Sequence, residues 1–427
     1  MQLANSVPAL RRYICNAISE YTNLTNLSLH DQWHQLVLGP LSKLTDGSCP
    51  SSCVLVIDAL DECDGDNNIW AILHLLAEVR SLTTIRLRVF MTSRPEIPIR
   101  HGFYHIPDAE HQDFVLHSIS PSVVDRDIST FLEYSLDNIR QERRLDAGWP
   151  GEQVIRDMVQ KASGLFIWAA TACRFVREGK RFATMRLATI LEGSSTAITA
   201  PEKHLNEIYI TVLEHSISPD YVDEEKEGLY AMLRHVLGSI VALFSPLSAR
   251  SLSRLLHVPK EDVDQTLEDL HAIMDIPDDP TRPLHLHHPS FRDFLLNKNR
   301  CRDPNFCVDE KEAHRTLAED CIQLMLTSLK QDICGVGAPG TLVTDMESSR
   351  VEQYLPPEVQ YACLNWVQHI QKSEAHLCDD EQVHMFLQKH LLHWLEALSL
   401  MGKTSEGVVA ISSLESYVQV SCINSKL

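Results

Sequence analysis

Over roughly the first forty residues, apolar side chains recur at helix spacing. Val7, Leu10, Tyr13, Ile14, Ala17 and Ile18 share one face, which predicts an amphipathic helix. A second such stretch runs from about His30 to Leu44 and ends in the turn-forming Thr45-Asp46-Gly47-Ser48. Then the period changes. Cys53 to Ile57 is a short continuous apolar, β-branched run, the pattern of a parallel strand buried on both faces. Helix spacing returns from Ile69 to Val79, and Leu87 to Met91 is a second short apolar run. Strand, helix, strand with short connections predicts a βαβ unit and a parallel sheet. Phe114 to His117 is a candidate third strand.

After Ser120 the strand pattern fades. Asp127 to Leu145 reads as a helix, closed by Gly148-Trp149-Pro150-Gly151, and helices are expected at Val154 to Lys161 and Leu165 to Val176, separated by Ser163-Gly164. Gly193 to Pro201, rich in Ser, Thr and Ala, is a linker candidate. Tyr230 to Phe244 is a strongly apolar helix closed by Ser245-Pro246, followed by helical patterns at Ser248 to Leu256 and Lys260 to Ile273. After the turn Pro277-Asp278-Asp279-Pro280 comes a short alternating segment, Leu284 to His288; two helices with a small β element outline a winged-helix unit. From Lys311 onward the pattern is helical, interrupted by Cys334-Gly335-Val336-Gly337-Ala338-Pro339-Gly340.

Length and charge narrow the classes. A chain of 427 residues fits several domains, taking ~100–200 residues for each. The divisions expected are 1–120, 121–200, 201–303 and 304–427. A formal net charge of −20 opposes a nucleic acid as partner, because that affinity comes mainly from neutralising phosphates with Lys and Arg. The acidic surroundings of the winged-helix unit, among them Glu261, Asp262, Asp264, Glu268 and Asp269, argue against a transcription regulator for the same reason. Twelve cysteines lack paired short spacings, so neither a disulfide framework nor a zinc pattern emerges, and Cys49 with Cys53 reads as two loop thiols. No run approaches the ~18 apolar residues of a membrane span, and the start lacks a secretion signal, so a cytoplasmic setting is expected.

The chemistry concentrates in Val54-Leu55-Val56-Ile57-Asp58-Ala59-Leu60-Asp61-Glu62. An apolar strand that delivers a carboxylate at its carboxyl end is the Walker B arrangement, and open α/β sheets bind ligands at that edge. There an Asp can hold Mg²⁺ and a neighbouring acid can orient an attacking water. The next strand ends in Met91-Thr92-Ser93-Arg94-Pro95-Glu96, which brings a polar, cationic end beside the carboxylates. These segments resemble the NACHT class of signal-transduction NTPases, and most of all the fungal set in which a NACHT core precedes WD-repeat β-propellers. Gln32-Trp33 with Gly39-Pro40-Leu41, Gly164-Leu165-Phe166-Ile167, Pro246-Leu247-Ser248 and His288-Pro289-Ser290-Phe291-Arg292-Asp293-Phe294-Leu295 look like further landmarks. So do Gln360-Tyr361-Ala362-Cys363 and His393-Trp394-Leu395-Glu396-Ala397-Leu398. The resemblance implies that Asp58 is the Mg²⁺ carboxylate, that Asp61 or Glu62 polarises the water, and that Arg94 reads the γ-phosphate. It implies too that His288 senses the diphosphate state. A strand-end His is commonly structural, and so is the cluster His285-Leu286-His287-His288.

No glycine-rich loop ending in Lys-Ser/Thr precedes Asp58; the resemblance puts it before Met1. Gly402-Lys403-Thr404 follows a long helix and reads as a helix stop. The far end carries no propeller repeats, so the chain is expected to be the middle of a longer receptor. The expected fold is a partial P-loop α/β sheet, then a helical domain, a winged-helix-like unit and a C-terminal helical domain. The expected function is that of a regulatory or scaffold module deficient in hydrolysis, working through protein partners or self-association. Mg²⁺ with ATP or GTP would be the full-length family's cofactors, and none is expected for this chain alone. The alternative is an NTPase whose phosphate loop comes from a longer form or another chain.

Overall fold

A computed structural model describes residues 2–20, 27–44, 52–63, 66–81, 86–94, 97–104, 106–107, 111–192, 201–218, 220–337, 348–374 and 381–424. The expected turn 45–48, Cys49, Pro95, Glu96, most of the linker 193–201 and residues 338–340 lie outside them. The chain divides into two compact units, Met1–His117 and Ser118–Leu427. It is mostly helical with a small α/β part. Among the described residues, no helix is long and apolar enough to cross a membrane.

In the first unit, helices α1 (Gln2–Ser6) and α2 (Pro8–Glu20) lead to α3 (Leu29–Trp33). The Ser28 hydroxyl caps α3 by accepting from the Asp31 N–H at 3.1 Å. The helix continues as a π turn, His34–Leu38, into α4 (Gly39–Ser42). Strands β1 (Ser52–Ile57) and β2 (Arg86–Met91) pair in parallel, from Ser52 against Arg86 to Ile57 against Met91. Helix α5 (Asp66–Ala77) makes the crossover, extended by a 3-10 turn Glu78–Ser81, and α6 (Ile97–Tyr104) follows β2. Helices α5 and α6 approach closely at Gly102, where an added Cβ would come within 2.2 Å of Leu73 Cδ1.

Paired residues of a parallel sheet point to the same face. Cys53 and Leu87 pack against a cluster of Leu10, Ile14, Leu41 and Leu44; Ile57 and Met91 pack against Leu60, Ile69, Leu73 and Ile99. Both clusters therefore cover the same face. The other face carries Val54 (57% exposed), Val56 (64%) and Phe90 (59%), flanked by the exposed Arg86 and Arg88. This corrects the expectation of a strand buried on both faces. An unbroken apolar run reports β-propensity and cannot report which face finds a covering helix. The third strand expected at Phe114 to His117 is also absent. Residues 111–115 are irregular, Leu116–Ser118 forms a 3-10 turn, and Phe114, Val115 and Leu116 are exposed.

The second unit is helical. Helix α7 (Pro121–Arg143) starts earlier than the expected Asp127, because Pro121 fixes a helical φ at the first position. Next come α8 (Glu152–Ala162), α9 (Phe166–Glu178), α10 (Ala183–Glu192), α11 (Pro201–His215) and α12 (Asp223–Ala242). Helices α13 (Ala249–Leu255) and α14 (Lys260–Leu267) precede the antiparallel pair β3 (Met274–Asp275) and β4 (His285–Leu286). The helix expected to reach Ile273 stops at Leu267 and continues in turns, and the alternating segment forms only a two-residue strand. Then follow α15 (Ser290–Leu296), α16 (Glu310–Ser328), α17 (Ser348–Tyr354), α18 (Pro357–Ser373), α19 (Glu381–Leu400) and α20 (Thr404–Asn424). One continuous apolar core runs through this unit, from Ile128 to Leu414. Gly402, at φ +69°, stops α19, where its N–H donates to Ser399 O at 3.0 Å and the Lys403 N–H to Leu398 O at 2.8 Å. Lys403 pairs with Glu406 at 2.8 Å, so Gly402-Lys403-Thr404 is a helix-to-helix turn and does not follow a strand.

Candidate functional site: the acidic end of the parallel strands

At the carboxyl end of β1 the chain leaves the sheet at Asp58, and Ala59 turns it with left-handed dihedrals, φ 52° and ψ 54°. Leu60, 4% exposed, anchors the turn in the cluster formed with α5 and α6, so the acidic residues on either side of it are held at the sheet edge. Thr92 stitches this turn to the end of β2. Its N–H donates to Ile57 O (2.9 Å) and its carbonyl accepts from the Leu60 N–H (3.0 Å). Its hydroxyl accepts from the Ala59 N–H at 2.8 Å and donates to Asp58 Oδ1 in a short contact. Because the hydroxyl is oriented by the Ala59 amide, one Asp58 oxygen is fixed while the side chain stays exposed at the edge.

Asp61 is engaged differently. Its side chain is only 7% exposed; Oδ1 accepts from the Arg94 N–H at 2.9 Å, and Oδ2 lies 3.6 Å from Arg94 Nε. Asp61 therefore fastens the segment after β2 to the turn after β1, and Arg94, 42% exposed, lies with its guanidinium on that carboxylate. Glu62 is exposed on the same turn. Three carboxylates against one guanidinium leave an excess of negative charge, which attracts a cation and repels a bare phosphate. A nucleotide would have to arrive with its metal ion, and Asp58 is the carboxylate best presented for Mg²⁺, which takes one or two carboxylates besides phosphates and waters.

Asp58, Asp61, Glu62 and Arg94 thus come together in the first unit. His288 lies in the second unit. Its Nδ1 accepts from the Ser290 N–H at 3.2 Å and contacts Ser290 Oγ at 2.6 Å, and Ser290 Oγ meets the Tyr209 hydroxyl at 2.8 Å. With Nδ1 an acceptor, neutral His288 carries its proton on Nε2. His287 is tied to the His271 carbonyl at 3.0 Å through Nε2. Sequence reasoning missed Thr92. The signal was present, since the register that pairs Ile57 with Met91 puts Thr92 beside Asp58.

The family described as Nephrocystin 3, N-terminal matches residues 1–94, a span that includes the whole acidic site. The vegetative incompatibility protein HET-E-1 of Podospora anserina is 28% identical over 392 residues, which cover 85% of this chain and 26% of the relative. The chain is similar to a NACHT-like fungal protein. It spans about a quarter of the length of the curated relative it matches.

The double tie of Asp61 to Arg94 has a measurable consequence. Asp61→Ala removes the acceptor of the Arg94 N–H and is expected to destabilise the first unit by ~1–3 kcal/mol, the cost of leaving a partly buried donor unsatisfied. Hydrogen exchange at the Arg94 and Leu60 amides should accelerate accordingly. Unchanged exchange at both would show that the apolar anchor Leu60 alone holds the turn.

Proposed function

We propose that the chain is a regulatory module of a NACHT-type signalling switch, with a metal–nucleotide edge that does not turn over nucleotide by itself. The reading rests on one observation above others: the cation at the site, Arg94, lies on the buried carboxylate of Asp61. A guanidinium already neutralised in this way reads a γ-phosphate only by leaving its partner. Asp58 would hold Mg²⁺, Glu62 or Asp61 would orient water, and His288 would sense the diphosphate state from the second unit. ATP or GTP would need a phosphate-cradling loop from another segment or another chain, because no Gly-rich loop with Lys-Ser/Thr precedes Asp58 in this sequence. Contacts with proteins or with a second copy carry the signal, in a cytoplasmic setting and without nucleic acid; the net charge of −20 favours that exclusion. The relative is named for vegetative incompatibility, and signalling of that kind is the proposed context.

The exposed Asp58 at the sheet edge favours a second reading, an NTPase completed by a phosphate loop in trans. Calorimetric titration of ATP and of GTP with Mg²⁺ into the folded chain, alongside Asp58→Ala, tests the first reading, and repeating it with a phosphate-loop fragment added in trans tests the second. The expected result is no binding by either protein. Binding that Asp58→Ala abolishes would overturn the regulatory reading in favour of the NTPase.

A further inference from the structure

Apart from the acidic edge, the first unit holds a second cluster of chemistry-bearing side chains. His30 and His34 lie four residues apart where α3 passes into its π turn, so they share one face of the helix. Their ring centroids are 4.4 Å apart. Facing them is Glu78, in the 3-10 turn that ends the crossover helix α5. His34 Nε2 lies 3.0 Å from Glu78 Oε2, and His30 Nε2 lies 3.9 Å from Glu78 Oε1. One ligand atom from each of the three residues falls within 4.8 Å of the others.

We propose that His30, His34 and Glu78 bind a divalent transition-metal ion of the zinc class. Zinc–nitrogen and zinc–oxygen bonds of ~2.0–2.2 Å in tetrahedral geometry separate donor atoms by about 3.3 Å, and the observed spacings bracket that value. A second observation supports the site independently. Glu78 Oε2 is buried and makes no hydrogen bond of acceptable geometry, although His34 Nε2 is only 3.0 Å away. The two atoms are close but not aimed at one another, as expected of two donors directed at a common point. The outer groups also fit. Asp31 Oδ1 lies 3.7 Å from His30 Nδ1, which leaves Nε2 to face the ion, and Ser28 Oγ donates to Asp31 Oδ2 at 2.7 Å. A carboxylate behind a ligating imidazole is the usual second partner in such sites.

Two imidazoles and one carboxylate suit zinc, cobalt, nickel or copper better than magnesium or calcium, which prefer oxygen donors. Three protein donors leave a coordination position open to solvent, consistent with side-chain exposures of 60%, 43% and 27% for His30, His34 and Glu78. The ion would clip the segment that enters the sheet to the end of the crossover helix, and it would bind only while both imidazoles are neutral.

The test is a Zn²⁺ titration of the full chain against a competing chromophoric chelator, repeated with Co²⁺ to read the ligand field. His30→Gln alters an exposed side chain, with circular dichroism as the check that its fold is kept; Glu78→Gln is the second variant. The expected result is that both variants weaken binding by more than ~10-fold, with a Co²⁺ spectrum free of thiolate charge transfer. Unchanged affinity in both variants, or thiolate bands from the cysteines, would overturn the proposal.

Discussion

Acidification below pH 6.5 is expected to work against the second unit at one point of its core, where a pair of neutral histidines cannot accept protons in place. His314 and His369, 1% and 0% exposed, join α16 to α18 through a contact of 2.8 Å between their Nδ1 atoms. The Tyr361 hydroxyl contacts His369 Nε2 at 2.7 Å and accepts from the Phe244 N–H at 3.1 Å. The donor order follows: Phe244 N–H to Tyr361, Tyr361 O–H to His369 Nε2, His369 Nδ1–H to His314 Nδ1. A proton added to either ring would set two donors face to face. Burial, reinforced by repulsion from His314, pushes His369 down to about 3, and burial also lowers His314, with Glu310 opposing and Lys372 and Arg292 adding to the shift.

Unfolded imidazole takes its proton near 6.5, so between about 3 and 6.5 the unfolded chain holds more protons than the folded one. The contribution of His369 to stability is then fully present above 6.5 and falls as the pH falls through that window. For His369 alone the loss reaches ~5 kcal/mol as an upper bound, at about 1.4 kcal/mol per pH unit. His215, His235, His287 and His390, all lowered by burial, act in the same direction. Asp320 and Glu178, raised by burial to about 7, and Glu214, raised by burial as well, act oppositely, since they take up protons in the folded state as the pH falls and oppose the histidines over the same window. Urea unfolding at pH 7, 6, 5 and 4 measures the slope. His369→Gln should shift the slope by up to one proton, in the direction of less loss in acid; an identical slope would remove His369 from the account.

Replacing Trp394 by alanine is expected to cost the second unit ~3–5 kcal/mol, the range for truncating a large core aromatic. Trp394 is 0% exposed; its ring meets Trp366 edge to face at 5.5 Å and 77°, and Trp366 in turn meets Phe386 at 5.4 Å. The indole N–H donates to the Cys363 carbonyl at 2.9 Å, so the truncation opens a cavity between α18 and α19 and also breaks this hydrogen bond between the helices. Trp394→Phe keeps the edge-to-face contact and loses only the donor and part of the volume, so its cost should be smaller. Denaturant midpoints at constant slope would show both losses. A loss below ~1 kcal/mol for Trp394→Ala would mean that α19 contributes little to the core.

Local periodicity was enough to specify most of the helices, because an apolar stripe at period 3.6 can be buried in few other ways. Leu391-Leu392-His393-Trp394-Leu395 shows the limit of that rule: Trp394 is fully buried, while Leu392 on the same helix is 76% exposed. The parallel pairing of β1 and β2 and the gathering of Asp58, Asp61, Glu62 and Arg94 at one edge were likewise legible, since a short crossover leaves the two strand ends side by side. What the tertiary structure alone decided are relations between segments distant in sequence. It put helices on one face of the sheet and left Val54, Val56 and Phe90 open on the other. It turned Arg94 onto Asp61, used Thr92 as the stitch beside Asp58, and brought Glu78 to His30 and His34. The helical spacing of those two histidines was visible in the chain, but a ligand set needs its third donor, and that donor arrives only when the crossover helix folds back. Periodicity records how one element buries its own face; which side chains meet across elements depends on packing, and packing is a property of the folded chain.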